Sequence, residues 1–143
     1  MSHTILYIED NPDNMLLVQT VLEMRGYRFL WAPDGYQGIE MAATHKPDLI
    51  LLDINLPDID GYGVARRLRA SGSDLLTVPI IALTANTLGL DSARARAAGC
   101  NVHLCKPINI RELLAQVMAF VPAPKTDAPA PRRPALAPAA RNR

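Results

Sequence analysis

The sequence predicts an α/β fold in which helices cover both faces of an open, doubly wound parallel sheet. Five short apolar runs alternate with segments whose apolar residues recur at helical spacing. The runs are almost continuously apolar, as expected for strands buried on both faces. The chain has 143 residues, of which 49% are hydrophobic, which is enough for the core of one such domain.

Polar residues stand where four of the five expected strands end. The strands are expected at residues 5–8, 28–32, 48–53, 79–83 and 102–105. Glu9-Asp10 follows the first, Asp53 ends the third, Thr84 follows the fourth and Lys106 follows the fifth. Because the carboxyl ends of parallel strands share one edge of the sheet, the sequence predicts that these side chains converge there.

Helices are expected between the strands, and capping residues mark several of their ends. The first is expected at residues 13–25, where Gly26 ends it. Asp34 has Gln37 three residues further on, the spacing of a capping box. Asn109 and Glu112 repeat that spacing before the last helix. The third helix is expected to end near residue 72, and a weaker one is expected at about residues 87–98.

The expected topology is flavodoxin-like, a (βα)5 sheet with the strand order 2-1-3-4-5. Right-handed crossovers leave few alternatives, and this order is the common one for five strands. It places strand 1 beside strand 3, where the winding reverses and where such folds bind ligands. Glu9, Asp10 and Asp53 fall at that point, and Thr84 and Lys106 flank it.

The expected cluster suits a divalent cation and a phosphoryl group. Neighbouring carboxylates repel each other unless a charge neutralises them, and Mg²⁺ prefers an incomplete cage of oxygen ligands that leaves room for water. Asp10, Asp53 and a backbone carbonyl would form such a cage. An aspartate can also attack phosphorus. Asp53 is central and is the candidate nucleophile, while Lys106 and Thr84 would contact phosphoryl oxygens.

Composition excludes several other classes of function. Residues 1–121 carry 10 Lys and Arg against 13 Asp and Glu, so this part is no general nucleic-acid binder. We expect no membrane span, no secretion signal and no zinc site. Cys100 and Cys105 are expected to be buried, reduced residues of a cytoplasmic protein.

Residues 122–143 hold 6 Pro, 7 Ala and 5 basic residues, which predicts a disordered tail, either simply solvated or in weak contact with an acidic partner.

Several motifs together resemble the bacterial response-regulator receiver domain, the CheY-like family, across residues 4–121. They are Ile8-Glu9-Asp10-Asn11, residues 47–57, Asp60-Gly61, residues 79–85, Ala98-Gly99-Cys100 and Lys106-Pro107. The family is itself a standard example of the 2-1-3-4-5 order, so the two expectations are not independent.

The resemblance implies a role for each site residue. Asp53 would accept a phosphoryl group from a histidine of a sensor kinase or phosphotransfer protein. Asp10, Asp53 and the Asn55 carbonyl would bind Mg²⁺, with Glu9 reaching it through water. Thr84 would swing toward the phosphoryl group and Lys106 would pair with it.

The resemblance also implies a cis peptide bond between Lys106 and Pro107, and it identifies three positions that adjust the site. Asn55 and Asn86 occupy positions that adjust hydrolysis in the family, and both are uncharged, which predicts a phosphoryl group of modest lifetime. Tyr or Phe is usual at the position of His103. Either His103 has no switching role, or it moves with Thr84 and makes the switch sensitive to pH.

The output implied is a protein contact, since only residues 122–143 follow the receiver domain. The expectation is a single-domain response regulator, monomeric or dimeric on phosphorylation, without direct DNA binding. Kinase contacts are expected on the first helix at Asn14, Met15 and Val18. The downstream target is expected on the face of helix 4, strand 5 and helix 5.

Three alternatives remain open at this stage. The chain could be a receiver module of a phosphorelay, acting as an intermediate or a phosphate sink. It could be an aspartate-nucleophile phosphatase, although Asn55 stands where that family carries its acidic residue. It could also bind a flavin or nucleotide, although the acidic segment after the first strand would repel phosphate.

Overall fold

A computed structural model describes residues 3–85 and 90–123 of the chain. Strands and helices alternate, and a single-turn 3₁₀ helix at Ser73–Leu75 precedes the fourth strand. In chain order the elements are β1 (Thr4–Ile8), α1 (Pro12–Met24), β2 (Arg28–Ala32), α2 (Gly35–His45), β3 (Leu49–Asp53), α3 (Gly61–Ala70), β4 (Ile80–Thr84), α4 (Leu90–Ala98), β5 (Val102–Cys105) and α5 (Ile110–Phe120).

The strands form one parallel sheet in the order β2-β1-β3-β4-β5, which confirms the predicted flavodoxin-like topology. β1 lies between β2 and β3, so that Ile8 pairs with Ala32 on one side and with Leu52 on the other. At the other end of the sheet, Thr84 pairs with Cys105. The strands therefore end at nearly the same level, and their carboxyl ends form one edge.

Alternate strand residues supply two separate apolar layers, because successive side chains of a strand point to opposite faces. Leu6, Ile8, Ile50 and Leu52 pack in the layer that also contains residues of α2, α3 and α4. The opposite layer contains residues of α1 and α5, together with the strand residues Ile5, Tyr7, Leu49, Leu51, Ile81 and Leu83. Burying each such large apolar side chain contributes about 1.5–3 kcal/mol, so the central strands are held firmly on both faces.

Capping explains where the helices begin. α1 begins at Pro12, one residue earlier than expected. The reason is that the Asn11 side-chain oxygen accepts hydrogen bonds from the backbone N–H groups of Asp13 and Asn14. Asp34 and Asn109 cap α2 and α5 as predicted, each accepting the backbone N–H of the residue three positions on. The helix starts are thus fixed by polar side chains close in sequence.

The two cysteines differ from the sequence expectation. Cys100 is buried, and burial raises the pKa of its thiol to about 11, although the charge of Arg69 lowers it. Cys105 is exposed, so the expectation that both are buried is wrong. The reason is its position, since β5 is an edge strand and Cys105 is its last residue.

Two predictions fall outside the described residues. Asn86 lies between the described ranges, and most of the expected tail lies beyond residue 123. Within the ranges that the structure describes, no helix combines the length and the apolar character needed to cross a bilayer.

Candidate functional site

Three carboxylates meet at the carboxyl edge of the sheet. Glu9, Asp10 and Asp53 each offer an oxygen, and these atoms lie within 4.8 Å of one another. Glu9 and Asp53 are each only 1% exposed, whereas Asp10 is exposed. The sequence predicted this convergence from strand ends alone. Clustered oxygen donors with one side open to water fit Mg²⁺, which retains several water ligands.

Lys106 provides the positive charge of this cluster. Its ammonium nitrogen lies 3.0 Å from Asp53 Oδ1 and 3.5 Å from Glu9 Oε1. Burial lowers the pKa of Lys106, but the hydrogen bond and charge of Asp53, followed by those of Glu9, outweigh burial and raise it. The ammonium group therefore stays charged and partly neutralises the two buried carboxylates.

The backbone holds Asp53 and Lys106 in place. Asn55 N–H donates to Asp53 Oδ1 at 3.1 Å, which orients the carboxylate from its own loop. Ile54 N–H donates to the Leu83 carbonyl at 3.0 Å, and Lys106 N–H donates to the Thr84 carbonyl at 2.7 Å. These bonds continue the ladders of the sheet beyond the strand ends. The peptide bond after Lys106 is cis, as the resemblance implied.

Glu9 is held by donors that the sequence reasoning missed. The hydroxyl of Tyr7 donates to Glu9 Oε1 at 2.8 Å, and the indole N–H of Trp31 donates to the Glu9 backbone carbonyl at 2.6 Å. Asn11 N–H donates to Oε2 at 3.2 Å. A sequence signal for Tyr7 existed, because residues two apart along an extended segment lie on the same face.

A polar cavity of about 450 Å³ lies beside the cluster. Its lining residues include Asn55, Tyr62, Thr84 and Arg94. Thr84 is buried at the end of β4, so its placement at the site edge agrees with the sequence analysis. The Arg94 guanidinium stacks over the Tyr62 ring, with its central carbon 4.5 Å from the ring centroid, and adds a cation that the sequence analysis did not identify.

His103 lies on β5 and lines a cavity together with residues of α4. It is partly exposed and pairs in register with Ala82. This second cavity, which Arg96 and Asn101 also line, has a volume of about 210 Å³. The switching role suggested for His103 stays a prediction.

The α1 surface differs from the expected kinase contact. Val18 is fully buried in the core and has no surface to offer a partner, because it is on the sheet-facing side of the helix. Asn14 and Met15 are partly exposed. Leu16 and Leu17 are exposed instead, with 58% and 45% of their surface accessible.

Comparisons with known proteins agree with this geometry. Residues 5–118 match the response regulator receiver domain family. The chain is 32% identical to the polar-differentiation response regulator DivK of Brucella anthropi over 121 residues, covering 85% of this chain and 98% of that protein.

Two solved structures are similar in both sequence and fold. One is the receiver domain of the sensor histidine kinase PA1611 from Pseudomonas aeruginosa PAO1, whose active site cleft coordinates a magnesium ion. It is 38% identical with a TM-score of 0.76, covering 84% of this chain and 98% of that one. The other is the chemotaxis response regulator CheY4 of Vibrio cholerae, 26% identical with a TM-score of 0.79, covering 85% and 100%. The chain therefore belongs to the response regulator receiver domain family, the phosphoacceptor domains of two-component systems.

Proposed function

We propose that Asp53 accepts a phosphoryl group from a phosphohistidine of a sensor kinase or phosphotransfer protein, and that this acylphosphate changes the protein's contacts. The observation that carries the proposal is the contact of 3.0 Å between the Lys106 ammonium and a carboxylate that is 1% exposed. The pair is not an exposed salt bridge, because the Asp53 carboxylate is buried. A fixed cation beside a buried nucleophile is suited to phosphoryl transfer, since it can stabilise the charge on the phosphoryl oxygens.

The proposed reaction is an in-line displacement. A carboxylate oxygen of Asp53 forms the new bond to phosphorus while the bond between phosphorus and the histidine nitrogen breaks. The imidazole leaves with that electron pair and takes up a proton. Lys106 and the Thr84 hydroxyl pair with equatorial phosphoryl oxygens, which carry the charge. The chain is a phosphoacceptor in this scheme, with self-catalysed dephosphorylation and no other turnover.

Magnesium completes the charge balance in this proposal. Asp10, Asp53 and the Asn55 carbonyl would hold the ion, with Glu9 reaching it through water. When bound, the ion neutralises phosphoryl oxygens. The support comes from the cluster of three carboxylates on this chain and from the magnesium in the similar P. aeruginosa receiver.

The fate of the phosphoryl group depends on residues around the acceptor. Asn55 and Asn86 would allow water to reach it, giving a modest lifetime, and a half-life of days would contradict this. Thr84 and His103 would carry the switch to the face of α4, β5 and α5. If His103 couples the switch to pH, His103→Ala will abolish the pH dependence of partner affinity; unchanged affinity and phosphorylation would contradict that role.

The proposed setting is the cytoplasm, with a kinase or phosphotransfer protein on one side and a downstream protein on the other. The exposed Leu16 and Leu17 on α1 support docking of the phosphodonor protein there. If the chain is instead an intermediate of a phosphorelay, Asp53 would be the same acceptor. The 38% identity to the receiver domain of a sensor histidine kinase supports this alternative. Phosphorylation-dependent dimerisation through the face of α4, β5 and α5 is the alternative output.

A phosphorylation assay tests the central proposal. Wild type, Asp53→Asn and Asp74→Asn are each incubated with a small phosphodonor and Mg²⁺, and incorporated phosphate is measured by intact mass. Asp74 is a matched control because it is an exposed aspartate whose partner, Lys46, lies away from the cluster. We expect incorporation in wild type and Asp74→Asn only. Equal incorporation in Asp53→Asn would overturn the proposal.

A further inference from the structure

Tyr7 combines complete burial with a polar contact to the site. Its side chain has no exposed surface, and its ring packs edge-on against Phe29 with centroids 6.4 Å apart. The ring is therefore fixed by packing. The Tyr7 hydroxyl can donate one hydrogen bond, and its oxygen lies 2.8 Å from Glu9 Oε1.

Three donors share one oxygen of Glu9. The Tyr7 hydroxyl is the nearest to Oε1 at 2.8 Å, while Asn14 Nδ2 lies at 3.4 Å and Lys106 Nζ at 3.5 Å. A buried carboxylate oxygen requires such partners, and a charged one attracts the nearest available cation. The Tyr7 hydroxyl satisfies much of that demand without using the ammonium group.

Lys106 stands between two competing carboxylates. It lies 3.0 Å from Asp53 but 3.5 Å from Glu9, although both carboxylates are equally buried. We propose that Tyr7 is a positioning residue whose hydroxyl occupies Glu9 and thereby keeps Lys106 on Asp53. The effect on phosphoryl transfer rests on the proposed function, whereas the effect on the resting position of Lys106 does not.

The variant Tyr7→Phe removes one oxygen atom and keeps the packed ring. Glu9 Oε1 then has only Asn14 and Lys106 as donors among those described. We expect Lys106 to move toward Glu9, to about 2.8 Å, and to leave hydrogen-bond reach of Asp53. The rate of phosphate incorporation should fall by about tenfold, because this factor matches the free energy of one hydrogen bond to a charged group.

Tyr27→Phe is the matched control. Tyr27 is also buried in the same apolar layer, and its hydroxyl donates to the Val121 carbonyl, far from the carboxylates. Both variants should lose similar stability by losing a buried hydrogen bond. Only Tyr7→Phe should slow phosphate incorporation, so equal rates in the two variants would contradict the proposal.

Two measurements test whether Tyr7 positions Lys106 through Glu9. The first is a metal-free crystal structure of Tyr7→Phe, in which a Lys106 that keeps its 3.0 Å contact to Asp53 would overturn the proposal. The second is the rate in the Glu9→Gln background, where the charge competing for Lys106 is absent. Tyr7→Phe should cause no further slowing there, and the full tenfold effect would mean that Tyr7 does not act through Glu9. If wild type incorporates no phosphate, the proposed function fails, but the crystal structure still tests Tyr7.

Discussion

Lys106 Nζ lies 3.0 Å from Asp53 Oδ1, a contact between two strand ends that are separated by β4 in the sheet. The contact pairs the cation with the buried carboxylate proposed to react. Because Glu9 is the second partner of Lys106, the ammonium group holds together the two negative charges that would otherwise repel each other.

Replacing Lys106 with Met should separate phosphorylation from metal binding. We expect phosphate incorporation to fall about 10²–10³-fold, because one fixed charge that stabilises the phosphoryl oxygens is lost. Magnesium affinity should rise, because a positive charge beside the carboxylates is removed. Lys46→Met, which removes an exposed lysine paired with Asp74, should change neither quantity. Weaker magnesium binding by Lys106→Met would contradict this account.

Magnesium should stabilise the protein, and Trp31 offers a reporter. Trp31 is the only tryptophan, and its indole donates to the Glu9 carbonyl, so its fluorescence should change on titration with Mg²⁺. At 100 times the dissociation constant the gain in unfolding free energy should be about 2.7 kcal/mol, reversed by EDTA. Asp10→Asn should abolish most of that gain. Asp13→Asn, an exposed neighbour, should retain it.

Gly61 lets the start of α3 approach the loop after Asp53. A Cβ at this position would lie 2.5 Å from Ile54 Cα and 2.7 Å from the Asp53 carbonyl oxygen, both backbone atoms. We expect Gly61→Ala to lower the free energy of unfolding by about 1–3 kcal/mol and to slow phosphate incorporation by displacing Asp53.

Gly63→Ala is its control in the same helix. The added Cβ would meet the Ile59 side chain at 3.2 Å and the end of the Arg66 side chain at 3.9 Å, and both side chains can move aside. Denaturant unfolding should therefore give a stability near wild type or higher, because Ala favours a helix over Gly. Equal losses in the two variants would show that backbone contact at Gly61 is not the cause.

We expect the exposed leucines of α1 to contact the phosphodonor protein when it binds. Leu16→Ser is expected to weaken that binding by about tenfold, because a docked leucine contributes roughly 1–2 kcal/mol. Leu76→Ser is the control, since Leu76 is 57% exposed against 58% for Leu16 but lies before β4. Titration calorimetry with the purified donor measures both. Similar losses in the two variants would argue against α1 as the docking surface.

The strands could be predicted from local patterns, and their order and the convergence of the polar residues followed from the topology rules for parallel sheets. Each strand is a short apolar run, and each capping or turn residue acts on neighbours a few positions away. Asp53 can therefore be placed because it ends β3, and Lys106 because it follows β5. The exposure of Cys105 and the burial of Val18 could not be read in this way, because both depend on which element covers them.

The sequence by itself determined the strands, their polar ends and hence the cluster of carboxylates with Lys106. Tertiary structure decided how that cluster is organised, since Lys106 lies 3.0 Å from Asp53 and 3.5 Å from Glu9, and Arg94 stacks on the Tyr62 ring. The physical reason is the separation along the chain over which each kind of interaction acts. Periodicity and capping act between residues close in the chain, whereas these contacts join segments up to 97 positions apart and exist only after the layers have packed.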